Sequence, residues 1–140
     1  MTRNADYDLS ASDNHRKKSD FDNRILLMND INADMFISLH MNYLKETRYY
    51  GGQTFYSEIN NKNKNIATLI QGELNKFFGI NRKAKKISSD KYMYNKINIK
   101  GVLIEFGFIS NPKDRANLLK EEYKSDLAES IANSIVIYLT

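Results

Sequence analysis

The sequence contains no cysteine, no tryptophan and a single proline. The absence of cysteine excludes disulfides, thiolate nucleophiles and zinc sites built on cysteine. Long hydrophobic runs are also missing, because the longest, residues 101–104 and 135–137, are far shorter than the roughly 20 residues that a membrane-spanning helix needs. A signal peptide has a basic head followed by an apolar stretch. The sequence that begins with residues 1–6 does not have this pattern. The sequence therefore predicts neither a membrane span nor an export signal within this chain.

The composition is that of an ordinary globular domain. Of the 140 residues, 41% are hydrophobic and 27% are charged, which is enough to bury one core. The formal net charge of +4 is modest, although residues 82–86 (RKAKK) form a local basic cluster. Such a cluster is either a solvated loop or a site for phosphate or carboxylate groups. It lacks the interleaved aromatic residues that stack on bases, so nucleic-acid binding is not expected.

Hydrophobic periodicity predicts helices that alternate with strands. Apolar residues at helical spacing indicate helices over about 13–31, over 66–78 with Gly79 as the C-cap, and from about 127 to 139. Asn111 and Pro112 are typical of an N-cap followed by proline in the first turn of a short helix. Short apolar or β-branched runs predict strands at 35–39, which His40 ends, at 53–56 and at 101–106, with a weaker strand signal at 91–94.

This alternation indicates an α/β fold with helices on both faces of a largely parallel, twisted sheet. In such sheets functional groups collect at the carboxyl ends of the strands. His40 is expected at such an end.

Glu105 is the most informative single residue, because it lies inside the apolar run Val102–Phe108. Burying an unpaired carboxylate costs several kcal/mol, so this side chain must be protonated, paired or close to a metal. A raised pKa would suit a general acid or base at neutral pH. The alternative is a strand-end glutamate paired with a lysine or with backbone amides.

His40, in the run Ser38-Leu39-His40-Met41-Asn42, is the second candidate. A neutral imidazole at a strand end is a common zinc ligand, and its other nitrogen then needs a fixed hydrogen-bond partner. A lone histidine is also often a hydrogen-bonded core residue. The other histidine, His15, lies in a charged stretch and is expected to be exposed and inert.

Several motifs considered together resemble a known family. Residues 33–42 (ADMFISLHMN), 51–56 (GGQTFY) and 101–112 (GVLIEFGFISNP) are similar, in order and spacing, to successive motifs of the zinc-dependent N-acetylmuramoyl-L-alanine amidases. Residues 1–3 resemble the end of that family's threonine-arginine strand, and residues 81–85 (NRKAK) resemble its basic motif. The Arg-Lys-Ala-Lys version of that motif is most similar to the germination-specific spore-cortex amidases.

The resemblance implies a peptidoglycan hydrolase. It implies His40 as a zinc ligand and Glu105 as the catalytic glutamate that assists hydrolysis of the amide between N-acetylmuramic acid and L-alanine of the stem peptide. Zinc would polarise the amide and lower the pKa of its bound water to about 7. Asn42, Arg82 and Lys85 would lie along the substrate groove, and the protein would act outside the cytoplasm, at the cell wall or spore cortex.

The resemblance also predicts an incomplete domain. The family's first ligand histidine, and a glutamate on the helix after its first strand, have no counterpart here, whereas a catalytic zinc site normally has three protein ligands. We therefore expect residues 1–140 to be an amidase catalytic domain without its amino-terminal portion, including the first strand and helix. A protein partner or a second chain would then complete the sheet. The alternative function is a non-catalytic cell-wall-binding or partner-docking module that keeps the fold without a complete zinc site.

Overall fold

The computed structural model describes residues 16–140, which form four helices and a four-stranded sheet. In chain order the elements are α1 (Arg16–Asp30), β1 (Phe36–Asn42), β2 (Gln53–Tyr56), α2 (Asn63–Phe78), β3 (Lys85–Lys86), β4 (Gly101–Phe108), α3 (Pro112–Leu118) and α4 (Glu121–Leu139). None of the described helices is long and apolar enough to cross a membrane. The expectations for His15 and for residues 1–3 lie outside the described residues.

The sheet has the strand order β1-β4-β2-β3. β1 pairs in parallel with β4, and β2 pairs in parallel with β3, whereas β2 and β4 are antiparallel. The α/β class with a largely parallel sheet is therefore confirmed, with one antiparallel pairing that the sequence pattern did not indicate. β4 is the central strand between β1 and β2, and most of its residues are buried on whichever face they lie, which explains its nearly continuous apolar sequence.

Two hydrophobic clusters lie on opposite faces of β1 and β4. The larger joins α2 and α4 to the sheet, and its buried side chains are Ile66, Ala67, Ile70, Leu74, Val102, Ile104, Leu118, Leu127 and Ile131. The smaller joins Ile25 of α1 to Met93 and Ile97, with Phe36 packed against it. Because Phe36 and Ile37 alternate along β1 and Ile37 packs on the larger cluster, α1 covers the other face.

The predicted helix ends are confirmed. Gly79 ends α2 in the left-handed conformation, with φ of 63°, and its N–H donates to the carbonyl of Asn75. At the start of α3 the Asn111 side chain accepts hydrogen bonds from the N–H groups of Lys113 and Asp114, and Pro112 occupies the first turn.

Three sequence predictions need correction. β1 does not end at His40 but continues to Asn42, because β4 extends beside it and Asn42 pairs with Phe108. Residues 91–94 form turns rather than a strand, since their backbone bonds are short-range, such as Lys91 N–H to Ser88 O. The basic cluster is not only a loop: two of its lysines form β3 at the edge of the sheet, where charged residues discourage further pairing.

Candidate active site

The structure brings together the predicted zinc ligand, His40, and the predicted catalytic residue, Glu105. His40 and Glu105 are 65 positions apart in the chain but are register partners in the parallel β1–β4 ladder. By alternation His40 lies on the same face of β1 as Ser38 and Phe36, which is the face covered by α1. The pair therefore lies near the carboxyl ends of two parallel strands, where α/β folds carry their functional groups.

The Glu105 carboxylate is held in a poorly solvated position. Its Oε2 atom is buried and has no hydrogen-bond partner within the described part of the chain. Burial raises the pKa of Glu105, and the positive charge of Lys91 opposes part of that effect. Burial without a partner disfavours the charged form, so this carboxyl holds its proton to a higher pH than an ordinary glutamate does.

His40 is held by two hydroxyl groups. Its Nε2 atom lies 3.1 Å from Ser38 Oγ and 3.1 Å from the Tyr94 hydroxyl, and these two oxygens are 2.8 Å apart. Although the residue as a whole is exposed, partial burial of the ring lowers the pKa of His40, and the charge of Arg24 adds to this. The imidazole is therefore favoured in its neutral form, which is the form that ligates metals.

Asn42 lies at the end of β1, two residues beyond His40. Its side-chain oxygen accepts a hydrogen bond from the N–H of Tyr43, and its backbone carbonyl accepts one from Ile109. The side-chain amide nitrogen of Asn42 has no hydrogen-bond partner within residues 16–140. That amide lies at the same end of the sheet as the His40–Glu105 pair.

Arg82 is tied to the turn before β2. Its guanidinium donates to the backbone carbonyls of Tyr50 at 2.7 Å, Gly51 at 3.1 Å and Gly52 at 3.4 Å. This arrangement explains why a planar, many-donor side chain occupies this position. Lys85, by contrast, is exposed on β3 and pairs in register with Phe55 of β2.

The family is decided by a match that extends over nearly the whole chain. Residues 1–136 match the family model described as N-acetylmuramoyl-L-alanine amidase. The chain belongs to this amidase family. Its sequence is 36% identical over 145 residues to the germination-specific N-acetylmuramoyl-L-alanine amidase of Bacillus subtilis (strain 168), a match that covers 100% of this chain and 61% of that protein.

Solved amidase structures have the same fold. The CwlD amidase of Clostridioides difficile, solved in complex with the GerS lipoprotein, superposes with a TM-score of 0.85 at 34% identity, covering 98% of this chain and 73% of that one. An N-acetylmuramoyl-L-alanine amidase from Clostridium difficile 630 superposes with a TM-score of 0.75 at 25% identity, covering 85% of this chain and 64% of that one. The fold of the described residues is thus that of amidase catalytic domains.

The zinc that this amidase family implies needs more ligands than residues 16–140 provide. Within that range no group of three or more histidine, cysteine, aspartate or glutamate side chains is close enough to hold a metal ion. The donor types do fit, because one neutral imidazole lies opposite a carboxylate with an unpartnered, buried oxygen. The described residues therefore contain one candidate ligand and a neighbouring carboxylate, not a complete ligand set.

Sequence reasoning missed three residues at this candidate site. Ser38 was foreseeable, because period-two alternation puts it on the same face as His40. Tyr94 was not, since it reaches His40 from a segment 54 positions away. Asp114 also went unnoticed: it is buried, and its Oδ2 atom accepts 2.8 Å hydrogen bonds from the N–H groups of Gly51 and Phe108.

Proposed function

We propose that residues 1–140 form part of an amidase catalytic domain that hydrolyses the amide between N-acetylmuramic acid and L-alanine of the peptidoglycan stem peptide. The observation that carries this proposal is the buried, unpartnered Glu105 oxygen directly opposite His40. Membership of the amidase family supports it, as does the sequence identity with the germination-specific enzyme. The same likeness supports a role in the spore cortex during germination, outside the cytoplasm.

In this mechanism Glu105 is the proton carrier. Its ionised carboxylate takes a proton from the attacking water as the water oxygen bonds to the lactyl carbonyl carbon. It then gives that proton to the alanine nitrogen as the carbon–nitrogen bond breaks. Burial raises the pKa of Glu105, which makes its carboxylate a stronger base for the first step than an ordinary glutamate. The products are a muramic acid with a free lactyl carboxylate and a stem peptide with a free amino terminus.

We propose zinc as the cofactor, with His40 as one of its ligands and the remaining ligands contributed from outside residues 16–140. When bound, zinc polarises the amide carbonyl and stabilises negative charge on the reacting oxygen. The lowered pKa of His40 supports the ligand assignment, since only the neutral ring offers a lone pair to a metal.

Asn42, Arg82 and Lys85 are proposed to contact the substrate. Asn42 has a side-chain amide with no recorded partner beside the site, and Lys85 is exposed on the edge strand. Arg82 has five N–H donors, and those that do not bind the 50–52 turn remain for the stem-peptide carboxylates.

A protein partner at the edge of β1 is the remaining part of the proposal. Among the described strands β1 lies at one edge of the sheet, and its Leu39 and Met41 side chains are 58% and 49% exposed. An exposed edge with apolar side chains favours addition of a strand from another chain. The similar CwlD amidase was solved in complex with a lipoprotein, which supports a protein partner rather than a second copy of this chain. Light scattering would oppose this choice if the isolated chain formed a stable homodimer.

One observation favours the alternative function, a non-catalytic wall-binding or docking module. The described residues contain no complete set of metal ligands. Such a module would bind peptidoglycan without releasing stem peptides, whether or not zinc is present.

The deciding experiment incubates purified peptidoglycan with the protein, with zinc and separately with chelator, and analyses the soluble products by mass spectrometry. The amidase proposal predicts peptides that begin with L-alanine, lost on chelation and in Glu105→Gln. Sedimentation of the protein with peptidoglycan, with no such peptides under any condition, would refute the enzyme and support the binding module.

A further inference from the structure

The environment of His40 contains a feature that the proposed mechanism does not use. Three polar atoms, His40 Nε2, Ser38 Oγ and the Tyr94 hydroxyl oxygen, form a closed triangle with sides of 3.1, 3.1 and 2.8 Å. Within residues 16–140 every side-chain hydrogen bond of His40 is made by Nε2. Nδ1 is therefore the ring nitrogen that keeps its bonding capacity.

Tyr94 is held independently of His40. Its ring stacks on that of Phe36, with centroids 6.5 Å apart, and packs against the cluster of Ile25, Met93 and Ile97. Packing of this kind restricts the ring, so the hydroxyl is presented to Nε2 from a fixed position. Ser38, two residues before His40 on the same strand face, provides the second hydroxyl oxygen that contacts Nε2.

The proton positions follow from the chemistry of the three groups. A neutral imidazole has one N–H, so only one of its nitrogens can offer a lone pair. A hydroxyl oxygen accepts as readily as it donates, and two such oxygens surround Nε2. These two hydroxyls enclose Nε2, whereas Nδ1 has no hydrogen-bond partner within residues 16–140. Nδ1 is therefore the nitrogen that a metal could reach, and the proton then belongs on Nε2.

We propose that Tyr94, together with Ser38, is a positioning residue that binds Nε2–H of His40 and so fixes the tautomer whose Nδ1 lone pair is free to ligate a metal. This inference rests on the proposed function only where it says that the free nitrogen, Nδ1, binds a metal. The hydrogen bonds themselves join side chains of this chain only. In metal sites generally, such a partner orients the ligand and holds its tautomer.

The test is nuclear magnetic resonance of the chain labelled with ¹⁵N-histidine and carrying His15→Gln, so that His40 is the only histidine. Spectra recorded well above the pKa of His40 should show the Nε2–H tautomer alone, with an Nε2–H proton protected from exchange with water. Tyr94→Phe keeps the ring and removes the hydroxyl, and it should abolish the protected proton signal. Ser38→Ala, a second and smaller change, should weaken that protection.

Tyr92→Phe is the matched control, because Tyr92 lies in the same segment but its hydroxyl donates to Asp22 instead. It should leave the His40 spectrum unchanged. An Nδ1–H tautomer in the otherwise unaltered chain would overturn the proposal, as would a protected Nε2–H proton that survives in a folded Tyr94→Phe. The spectra do not depend on hydrolysis, so a chain with the Nε2–H tautomer that releases no peptide would refute the proposed function alone.

Discussion

Gly101 lies opposite Phe36 at the start of the β1–β4 ladder, so close that a Cβ atom at Gly101 would be 2.3 Å from the Phe36 carbonyl oxygen. The first prediction follows from this contact. Gly101→Ala should lower the free energy of unfolding by about 1–3 kcal/mol, because the strands that carry His40 and Glu105 must move apart. Urea denaturation followed by circular dichroism measures the change.

Gly72 provides the control for this prediction. It lies within α2, and a Cβ atom there would meet nothing within 4 Å. Gly72→Ala should therefore raise the free energy of unfolding by about 0.5–1 kcal/mol, since alanine loses less backbone entropy in a helix. Equal destabilisation by both substitutions would contradict the contact argument.

The second prediction concerns Glu105, whose substitution should affect activity and stability in opposite directions. Glu105→Gln should lower the hydrolysis rate by about 10²–10⁴-fold, the usual contribution of a general acid or base. Burial raises the folded-state pKa of Glu105, so the folded protein loses stability as pH rises from below the ordinary value of 4.5 to above the raised value. Glutamine does not ionise, so the Glu105→Gln variant does not lose this stability as pH rises.

The free energies of unfolding of the wild type and Glu105→Gln at pH 4 and pH 7.5 provide the check. The advantage of the variant should be larger at pH 7.5, where the unfolded glutamate is ionised. A difference that is the same at both pH values would mean that the carboxyl is not perturbed by burial.

The third prediction concerns Asp114, which joins the turn before β2 to the end of β4. Asp114→Ala leaves the buried N–H groups of Gly51 and Phe108 without their acceptor, at about 1–3 kcal/mol each. Asp126→Ala, on the exposed side of α4, should change stability by less than about 0.5 kcal/mol. Similar denaturation midpoints for the two variants would show that these bonds do not hold the turn.

The fourth prediction separates the roles of Arg82 and Lys85. Arg82→Lys loses the planar fork that binds the carbonyls of Tyr50 and Gly51, so hydrogen exchange of the 50–52 turn should become faster. Lys85→Ala should leave exchange unchanged but raise KM for peptidoglycan by up to about fivefold, the effect of losing an exposed ion pair of about 1 kcal/mol. Unchanged exchange in Arg82→Lys would argue against the turn-holding role.

Much of the local structure was predictable because its causes lie within a few residues. The apolar stripe of α2 and the left-handed Gly79 that ends it are local patterns, and so are the Asn111 cap and Pro112 that begin α3. The two strands that contain His40 and Glu105 were also predicted from their short apolar runs, and Glu105 stood out because a carboxylate inside such a run needs an explanation.

Other features were not predictable, because they depend on contacts between distant segments. The Tyr92-Met93-Tyr94 run has the composition of a strand, yet its residues turn so that Met93 is buried beneath α1. The reach of Tyr94 to His40 depends on that turn. Likewise, the guanidinium of Arg82 is used by carbonyls about 30 positions away, which no local pattern records.

By itself the sequence determined the α/β class, the end of α2 and the start of α3, and it singled out His40 and Glu105 as candidates for the chemistry. The class and the helix ends follow from side-chain periodicity and cap residues, and Glu105 stood out because burying a charge has a high free energy. Only the tertiary structure decided that β2 runs antiparallel to β4, that Glu105 Oε2 has no partner within residues 16–140, and that Tyr94 and Ser38 contact one nitrogen of His40. Strand pairing and hydroxyl contacts join residues tens of positions apart, and their geometry is set when the whole core packs.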